Sequence, residues 1–229
     1  MEKIIPLNIV GTYPVRWGKY QVIRDFVQNF YDAIGYSEWK EKFHYDFTDN
    51  TLSIWIDEFT FNYEWLLHIG ASTKTACSVK YAGYFGEGFK IASLCAKRDF
   101  GWNIHMQSGE WSLSVEFIDH NIETQKVKMM AYRVNEFQYS NRSTLTIMNF
   151  TIADYYIFMD TLESFYYPEN RILGKKVWSD ENGAVYLRSR EEIPERLPVV
   201  YDYGRVVVTT ERKICFSKRN LSVFGLSFT

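Results

Sequence analysis

The apolar residues of this chain recur with two periods, one typical of helices and the other of strands. Between residues 16 and 36 they recur every three or four positions, which predicts a helix that buries its apolar side and ends at Gly35. The same spacing predicts shorter helices over residues 62–69, 89–97 and 151–165.

Strict alternation of apolar and polar residues marks the strands. It predicts a hairpin formed by residues 42–47 and 51–56, with Asp49 and Asn50 as the turn. The segment 70–88 is rich in Gly, Ser and Thr, which predicts a loop. Further strands are predicted over residues 1–10, 102–107, 111–118, 127–133, 143–150, 183–188 and 199–209.

Composition indicates an ordinary globular protein that contains a sheet. The 229 residues are 46% hydrophobic and 24% charged, which excludes disorder, collagen and coiled coil as descriptions of the whole chain. Aromatic residues make up 18%, and such bulky side chains are typical of strands and thick cores. The length suffices for one large domain or for a domain with an extension.

Charge is divided unevenly along the chain. The net charge is −2, but residues 171–229 carry +4 and residues 1–170 carry −6. With a change of composition near Pro168, this predicts a first domain over residues 1–170 and a β-rich extension over residues 171–229. A solvated surface on one continuous domain explains the charges equally well. Nucleic acid is not an indicated partner, because that role would need the positive charges of the extension to form one patch.

The cysteines and histidines argue against disulfides and structural metals. Cys77, Cys95 and Cys215 are odd in number and form no CxxC pair, which fits a reducing compartment and predicts a cytoplasmic protein. The four histidines lack the spacing of metal ligands. No apolar run approaches the ~18 residues of a membrane span, so no membrane partner is expected. Pro6 and Asn8 interrupt the first apolar run, which predicts a strand rather than a signal peptide.

Oxygen-bearing side chains line one side of the first predicted helix. Asp25, Asn29 and Asp32 stand at positions i, i+4 and i+7, which share one helix face. Such a face is usually the solvated side of an amphipathic helix. Its short carboxylates and amide also suit a hard cation such as Mg²⁺ with an oriented water, which is the functional interpretation.

A second candidate site precedes the helix predicted at residue 89. Gly83, Gly86 and Gly88 allow backbone N–H groups to approach an anion, and the helix start and Lys90 add positive charge. Loop glycines more often serve turns, and this spacing matches neither the Walker A nor the Rossmann pattern. Two loops that suit an anion nevertheless flank one helix start, because hydroxyls and a second amine stand upstream at Ser72, Thr73 and Lys74.

Asp57 follows the predicted strand 51–56 and completes the set. Its carboxylate can accept a hydrogen bond from an exocyclic amine, although a plain turn aspartate is the simpler interpretation. The order of these elements resembles that of the GHKL superfamily of ATP-binding domains. A helix with Asp25 and Asn29 comes first, a strand with Asp57 follows, and two glycine-bearing loops come last. That superfamily contains gyrase, the large heat-shock chaperone, histidine kinases and MutL, and the resemblance covers residues 16–150.

The resemblance implies a fold and a set of roles. The fold would be an α/β two-layer sandwich of the Bergerat type, in which helices cover one face of a mixed β-sheet. Asn29 would ligate Mg²⁺ at the phosphates of ATP, and Asp25 would be the general base for water. Asp57 would bind the adenine amino group, with support from Thr144. The other residues that the resemblance places near ATP are Asp32, Ser72, Thr73, Lys74, Gly83, Gly86, Gly88 and Lys90.

The sequence departs from the superfamily in two places. Asp25 stands where a glutamate is usual, and its side chain is one methylene shorter, which reduces the reach of a general base. The usual Asp-x-Gly-x-Gly is here Asp57-Glu58-Phe59-Thr60-Phe61. Glycines at those positions let the backbone pass close to a nucleobase, whereas Phe59 and Phe61 either stack on a base or obstruct its pocket.

Two functions follow, and a third ranks below them. The first is Mg²⁺-dependent ATP binding with slow hydrolysis, in which the nucleotide state controls a lid and association into a homodimer or with a protein partner. The alternative is a degenerate module that binds nucleotide or protein without turnover, for example in antiviral defence or its counter-measure. Such a pathway is indicated only by a likeness to the prokaryotic and viral "ATP-binding protein" branch. Three features are similar to that branch: Trp17 ahead of Ile23-Arg24-Asp25, the segment Gly70–Lys74, and the phrase Gly86-Glu87-Gly88-Phe89-Lys90. Phosphotransfer ranks lowest, because no histidine lies in a recognisable phosphoacceptor helix.

Overall fold

A computed structural model describes residues 2–35, 38–67, 87–162 and 165, together with the backbone of short strands between residues 173 and 221. The helices are α1 (Lys19–Ile34), α2 (Trp39–Lys42), α3 (Gly88–Asp99) and α4 (Ile152–Leu162), and Tyr63–Leu66 form a 3-10 turn. The strands are β1 (Glu2–Val10), β2 (Phe43–Thr48), β3 (Thr51–Asp57), β4 (Asn103–Ile122), β5 (Gln125–Met148), β6 (Leu173–Asp180), β7 (Gly183–Arg188), β8 (Pro198–Tyr201), β9 (Val206–Val208), β10 (Ile214–Phe216) and β11 (Arg219–Leu221).

Helix α1 forms where the three- and four-residue spacing predicts it. Its apolar residues Val22, Phe26 and Phe30 are at most 2% exposed. Gly35 ends the helix with a φ of 76° and donates its N–H to the carbonyl of Tyr31 at 2.7 Å. A residue with a side chain rarely adopts this backbone angle, so the predicted stop at Gly35 is confirmed. The predicted helices 89–97 and 151–165 correspond to α3 and α4, whereas the described part of 62–69, residues 62–67, contains the 3-10 turn in place of an α-helix.

Strands β2 and β3 form the predicted hairpin. They pair antiparallel from Phe43 with Ile56 to Thr48 with Thr51. The two turn residues both have positive φ, 50° at Asp49 and 56° at Asn50. Two such residues match the twist of the flanking strands, and Asp and Asn tolerate this backbone region better than most side chains.

Strands β4 and β5 form one long antiparallel hairpin where the sequence predicts four separate strands. Its base pairs Asn103 with Met148, and its tip pairs Ile122 with Gln125. The pairing shifts register on both sides of Gly109, whose φ is 58°. Such bulges add residues and bend a strand without ending it, which explains why the alternation breaks while the strand continues.

Strand β5 organises a five-stranded sheet. One edge of β5 pairs with β4, and the other edge pairs first with β1 and then with β3, which also pairs with β2. The prediction of a mixed sheet is therefore wrong for the described strands, because all their pairings are antiparallel. Tight turns join β2 to β3 and β4 to β5, and only antiparallel neighbours can be joined in this way.

The core lies between the helices and one face of this sheet, which we call the inner face. Leu52, Ile54 and Ile56 of β3 are at most 1% exposed on this face, and the residues between them point to the opposite, outer face. The rings of Phe26 and Phe89, 5.5 Å apart, join α1 to α3 within the core. For each functional residue predicted on a strand, the face it occupies therefore decides whether it can lie near the residues predicted on the helices.

An ion pair joins helix α4 to α1. Lys19 Nζ lies 2.5 Å from Oδ1 of Asp154, a residue only 1% exposed. The other oxygen of Asp154 accepts hydrogen bonds from the N–H and hydroxyl of Thr151 at 3.0 and 2.9 Å, and these bonds cap α4. Burial alone would raise the pKa of Asp154, but Lys19 and Thr151 outweigh it and hold that pKa below its ordinary value.

The chain beyond residue 170 contains two small antiparallel sheets, in the orders β6-β7-β8 and β9-β10-β11. These strands agree with the predicted β-rich character of this part, while a domain boundary at residue 170 stays a prediction. Among the described helices, none combines the length and the apolar character that crossing a membrane requires.

Candidate functional site

The polar stripe of α1 faces protein rather than solvent. Asp32 is 6% exposed, and Asp25 and Asn29 are partly buried. The solvated-side interpretation therefore does not describe these residues. Polar groups removed from water need partners, so this stripe is either tied into the protein or arranged to receive a ligand.

Asn29 makes a local hydrogen bond through its amide nitrogen and not through its side-chain oxygen. Its Nδ2 donates to the backbone carbonyl of Asp25 at 2.9 Å, one turn earlier. This bond uses the amide nitrogen and leaves Oδ1, the atom that a hard cation prefers. Asn29 also lines a cavity of about 40 Å³ between α1, α3 and the inner face.

Asp25 meets the first residue of α3. A β-carbon at Gly88 would lie 2.5 Å from both carboxylate oxygens of Asp25. The cap of α3, Glu87, gives the helix no side-chain hydrogen bond, and its first turn holds no acidic residue. The carboxylate from α1 is therefore the negative charge at a helix end that favours one. A side chain at residue 88 would displace that carboxylate.

Of the predicted anion-binding loops, the described residues include only Gly88 and Lys90. Lys90 is 2% exposed, and burial lowers its pKa to about 8, an effect that Glu87 partly offsets. This lysine therefore lies on the buried side of α3 and is not a surface cation. The remaining predicted loop residues, Ser72, Thr73, Lys74, Gly83 and Gly86, lie outside the described residues.

Asp57 lies on the outer face, away from α1. Its carboxylate accepts a hydrogen bond from Arg142 Nε at 2.6 Å, and its other oxygen lies 3.8 Å from His44 Nε2. The guanidinium of Arg142 also lies over the ring of Trp55, 5.4 Å from its centroid. Ile56, the preceding residue, is buried on the inner face, so strand geometry turns Asp57 to the other side.

Thr144 lies on the outer face for the same reason. It pairs with Trp55 on one side and with Gln107 on the other. Its neighbours Ser143 and Leu145 are 0% exposed and lie on the inner face. The structure therefore brings Asp57 and Thr144 to the same side of the sheet but does not bring them to Asp25 and Asn29, so the expectation of one pocket for all four is not met.

Two aromatic residues occupy the positions where the resemblance expects glycines. The rings of Phe59 and Phe61 lie 5.0 Å apart, edge to face. The Phe61 ring also meets the ring of Phe30 on α1 at 5.7 Å and lines the small cavity beside Asn29. We call Phe59 and Phe61 the aromatic pair. It fills space between the end of β3 and α1.

Three residues that the sequence analysis does not single out hold the aromatic pair in place. Ser143 Oγ donates to the carbonyl of Phe59 at 2.8 Å, and the N–H of Phe61 donates to Ser108 Oγ at 2.6 Å. Trp111 Nε1 donates to the carbonyl of Phe61 at 2.9 Å. The two serine hydroxyls are 2.8 Å apart and buried. For Ser143, the sequence contains a signal of its buried position: the alternation of the strand places it on the same face as the apolar residues.

The arrangement of Asp25, Asn29 and Gly88 suits one chemistry. A carboxylate and an amide oxygen beside a helix start can hold a hard cation that also contacts an anion. Within the described residues, no cluster of three or more His, Cys, Asp or Glu could hold a metal. Mg²⁺ is usually bound by one or two protein groups together with phosphates and water.

Comparisons with known proteins name no family for this chain. No model of a protein family matches it, and no curated protein sequence shows significant similarity to it. The function is therefore inferred from the residues and their geometry.

Proposed function

We propose that the chain is a Mg²⁺-dependent ATP-binding protein of Bergerat-type architecture that hydrolyses ATP slowly. The observation that supports this most is the position of Asp25 and Asn29 on α1, beside the first residue of α3. Those two side chains and that helix start are the parts that the resemblance to the GHKL superfamily assigns to the phosphate side of the nucleotide. The nucleotide state would control a lid and the association of the chain with itself or a protein partner.

Each residue on the phosphate side has a distinct task in this proposal. Asn29 contributes a neutral oxygen to Mg²⁺, which neutralises charge on the phosphates when bound. Asp25 accepts a proton from water as general base. Gly88 leaves room for the carboxylate, since a β-carbon there would lie 2.5 Å from it. An anion at the helix start would compete with the Asp25 carboxylate unless a cation lies between them, which is why the proposal requires Mg²⁺.

The base side of the site does not fit the predicted roles. Asp57 is paired with Arg142 on the outer face, and Thr144 lies on that face as well. Neither residue is assigned a contact with adenine in this proposal.

A titration of the full chain with ATP, with and without Mg²⁺, tests the binding. We expect ATP to bind only with Mg²⁺, and Asn29→Ala to weaken binding about tenfold or more, on the scale of lost metal-site interactions. Asp57→Asn is the matched control, because it removes a polar contact on the outer face and should leave the affinity unchanged. Equal affinity in the Asn29→Ala variant and the parent would contradict the metal assignment.

Turnover assays test the general base. Asp25→Asn should lower hydrolysis about 10²–10⁴-fold while ATP still binds. Asp25→Glu should hold or raise the rate, because it restores the longer reach. Parent hydrolysis that survives Asp25→Asn would contradict the role of Asp25 and leave the fold untouched.

A second candidate function is a module that binds nucleotide or a protein partner without turnover. The observation that favours it is the aromatic pair, which occupies the positions of the expected glycines and contacts Phe30 of α1. This candidate predicts that the parent shows no hydrolysis above background and that neither Asp25 variant changes that result.

A further inference from the structure

Strand β2 is an edge of the sheet, because among the described strands it pairs with β3 alone. A two-residue turn joins these strands, so Thr48 and Thr51 exchange backbone hydrogen bonds, and every second residue of β2 bonds to β3 in the same way. The alternate residues Phe43, Tyr45 and Phe47 therefore direct their N–H and C=O groups away from β3. Such a row of backbone groups is a template on which a further strand can pair.

Helix α4 packs on β2 and turns an apolar side outward. The ring of Tyr155 stacks on that of Phe47 in β2, 4.7 Å away, and Asp154 forms the ion pair with α1. Ile152 and Tyr156 lie on the helix side opposite Asp154, since each residue advances about 100° around the axis. They are 54% and 64% exposed. A helix that is apolar on both sides is normally covered on both sides, so this outward side of α4 indicates a contact with another surface.

The free edge of β2 and the outward side of α4 lie on the same flank of the molecule. The helices follow the order of the strands that they cover. The ring of Phe89 on α3 meets Tyr132 of β5 at 6.3 Å, and the ring of Phe158 on α4 meets Tyr45 of β2 at 5.1 Å. Helix α1 packs between α3 and α4. Helix α4 is thus the last described helix of its layer where β2 is the last strand, and one partner can extend both layers.

The sequence of β2 is complementary to itself when two copies run antiparallel. With Tyr45 opposite its own counterpart, His44 faces Asp46 of the second copy, and symmetry forms this pair twice. Phe43 then faces Phe47. Imidazole donates a hydrogen bond to a carboxylate, and aromatic cross-strand pairs stabilise a sheet. Moving the pairing by two residues in either direction sets Asp46 opposite Asp46 or His44 opposite His44, so one register is favoured.

We propose that a second copy of this chain docks on the free edge of β2 and the outward side of α4, about a two-fold axis. The two sheets then form one continuous antiparallel sheet, and the two α4 helices pack on each other beside it. The complementarity of β2 to itself identifies the occupant as this chain, since a two-fold interface brings one surface patch against its own copy. This inference goes beyond the proposed function, because the dimer needs no nucleotide to form.

Sedimentation velocity of the full chain without ATP tests the dimer, over about a hundredfold range of protein concentration. We expect the dimeric fraction to rise with concentration. A parent that stays monomeric would overturn the inference whether or not ATP binds. A dimer that forms although ATP does not bind would support it, so its failure is distinguishable from failure of the proposed function.

Charge variants of β2 test the register. His44→Asp sets a carboxylate against Asp46 at both symmetric pairs, and it should raise the dissociation constant of the dimer about tenfold or more. Adding Asp46→Lys restores opposite charges and should return the constant close to that of the parent. Asp57, which lies 3.8 Å from His44, is unchanged in both variants, so the recovery reports the pairing across the axis. A double variant no tighter than His44→Asp would overturn this register.

A variant of α4 tests the helix contact. Tyr156→Lys should raise the dissociation constant about tenfold or more, because docking would bury a charge without a partner. The folded monomer should tolerate it, since Tyr156 is 64% exposed. Tyr139→Lys is the matched control, because Tyr139 is 61% exposed and lies on β5, outside both docking elements. A dimer that His44→Asp and Tyr156→Lys leave intact, or that Tyr139→Lys weakens equally, would overturn the assignment of this surface.

Discussion

The carboxylate of Asp25 packs against the α-carbon of Gly88, so closely that a β-carbon at residue 88 would lie 2.5 Å from both oxygens. This contact joins the middle of α1 to the start of α3. It makes the position of a proposed general base depend on the absence of a side chain on another helix.

The contact predicts coupling between the two residues. In an Asp25→Ala background, Gly88→Ala should stabilise the protein by about 0.5–1 kcal/mol, because alanine is the better helix former. In the parent the same change should be neutral or destabilising, because the new methyl group displaces the carboxylate. Urea denaturation of the four proteins measures the coupling free energy. Equal effects of Gly88→Ala in both backgrounds would show that the contact carries no energy.

Asp154 makes stability depend on acid pH. Its pKa is below the ordinary value in the folded state despite burial, because Lys19 and Thr151 favour the carboxylate. The unfolded state then binds more protons as the pH falls, so this contribution is present above the unfolded pKa of about 3.9 and is lost as pH falls through the lower folded pKa.

Asp154→Asn tests this dependence. It should cost about 1–2 kcal/mol at neutral pH, since Lys19 is partly exposed and the cap keeps a polar side chain. Thermal denaturation between pH 2 and pH 7 should show a smaller acid loss in the variant than in the parent. Lys19→Met should reproduce part of this effect, and identical acid profiles for all three proteins would refute the assignment.

Lys90 makes stability depend on pH in the alkaline range, and there too stability rises with pH. Burial lowers its folded pKa to about 8, whereas an unfolded lysine titrates near 10.4. Between these values the unfolded state holds the extra proton, so the contribution of Lys90 to stability rises with pH. Lys90→Met should remove this rise and stabilise the protein at pH 7, by roughly 3 kcal/mol at most. The denaturant midpoints of the parent and the variant at pH 7 and pH 10 measure this pH dependence. If the midpoint changes equally in both proteins between the two pH values, the result would contradict the burial of a charged amine.

The sequence predicts best where the hydrophobic period is long and unbroken. Helix α1 and the β2–β3 hairpin appear as predicted, because apolar spacing and the turn at Asp49 and Asn50 are local signals. The register shifts around Gly109 have no such local signal in the sequence. They depend on the pairing of β4 with β5, so four predicted strands become two.

The candidate site shows the same contrast. Asp25 and Asn29 share a helix face that spacing alone predicts. The resemblance implies a role for Thr144 near adenine, but period-two alternation places Thr144 on the sheet face opposite Leu145. In the same way, the buried position of Ile56 places Asp57 on the outer face. The approach of Gly88 to Asp25 depends on how α1 packs on α3, and no local pattern encodes that distance.

Strand β5 also sets an order for folding. Its hairpin with β4 closes through the few residues at the tip, whereas Glu2 reaches Asn135 only after more than half of the chain is brought together. Long closures cost more entropy and are made later than short ones. The β4–β5 ribbon is therefore the template on which β3 docks at one end and the N-terminal strand arrives last at the other. A chain released from synthesis before residue 129 lacks the residues that pair with its own first strand.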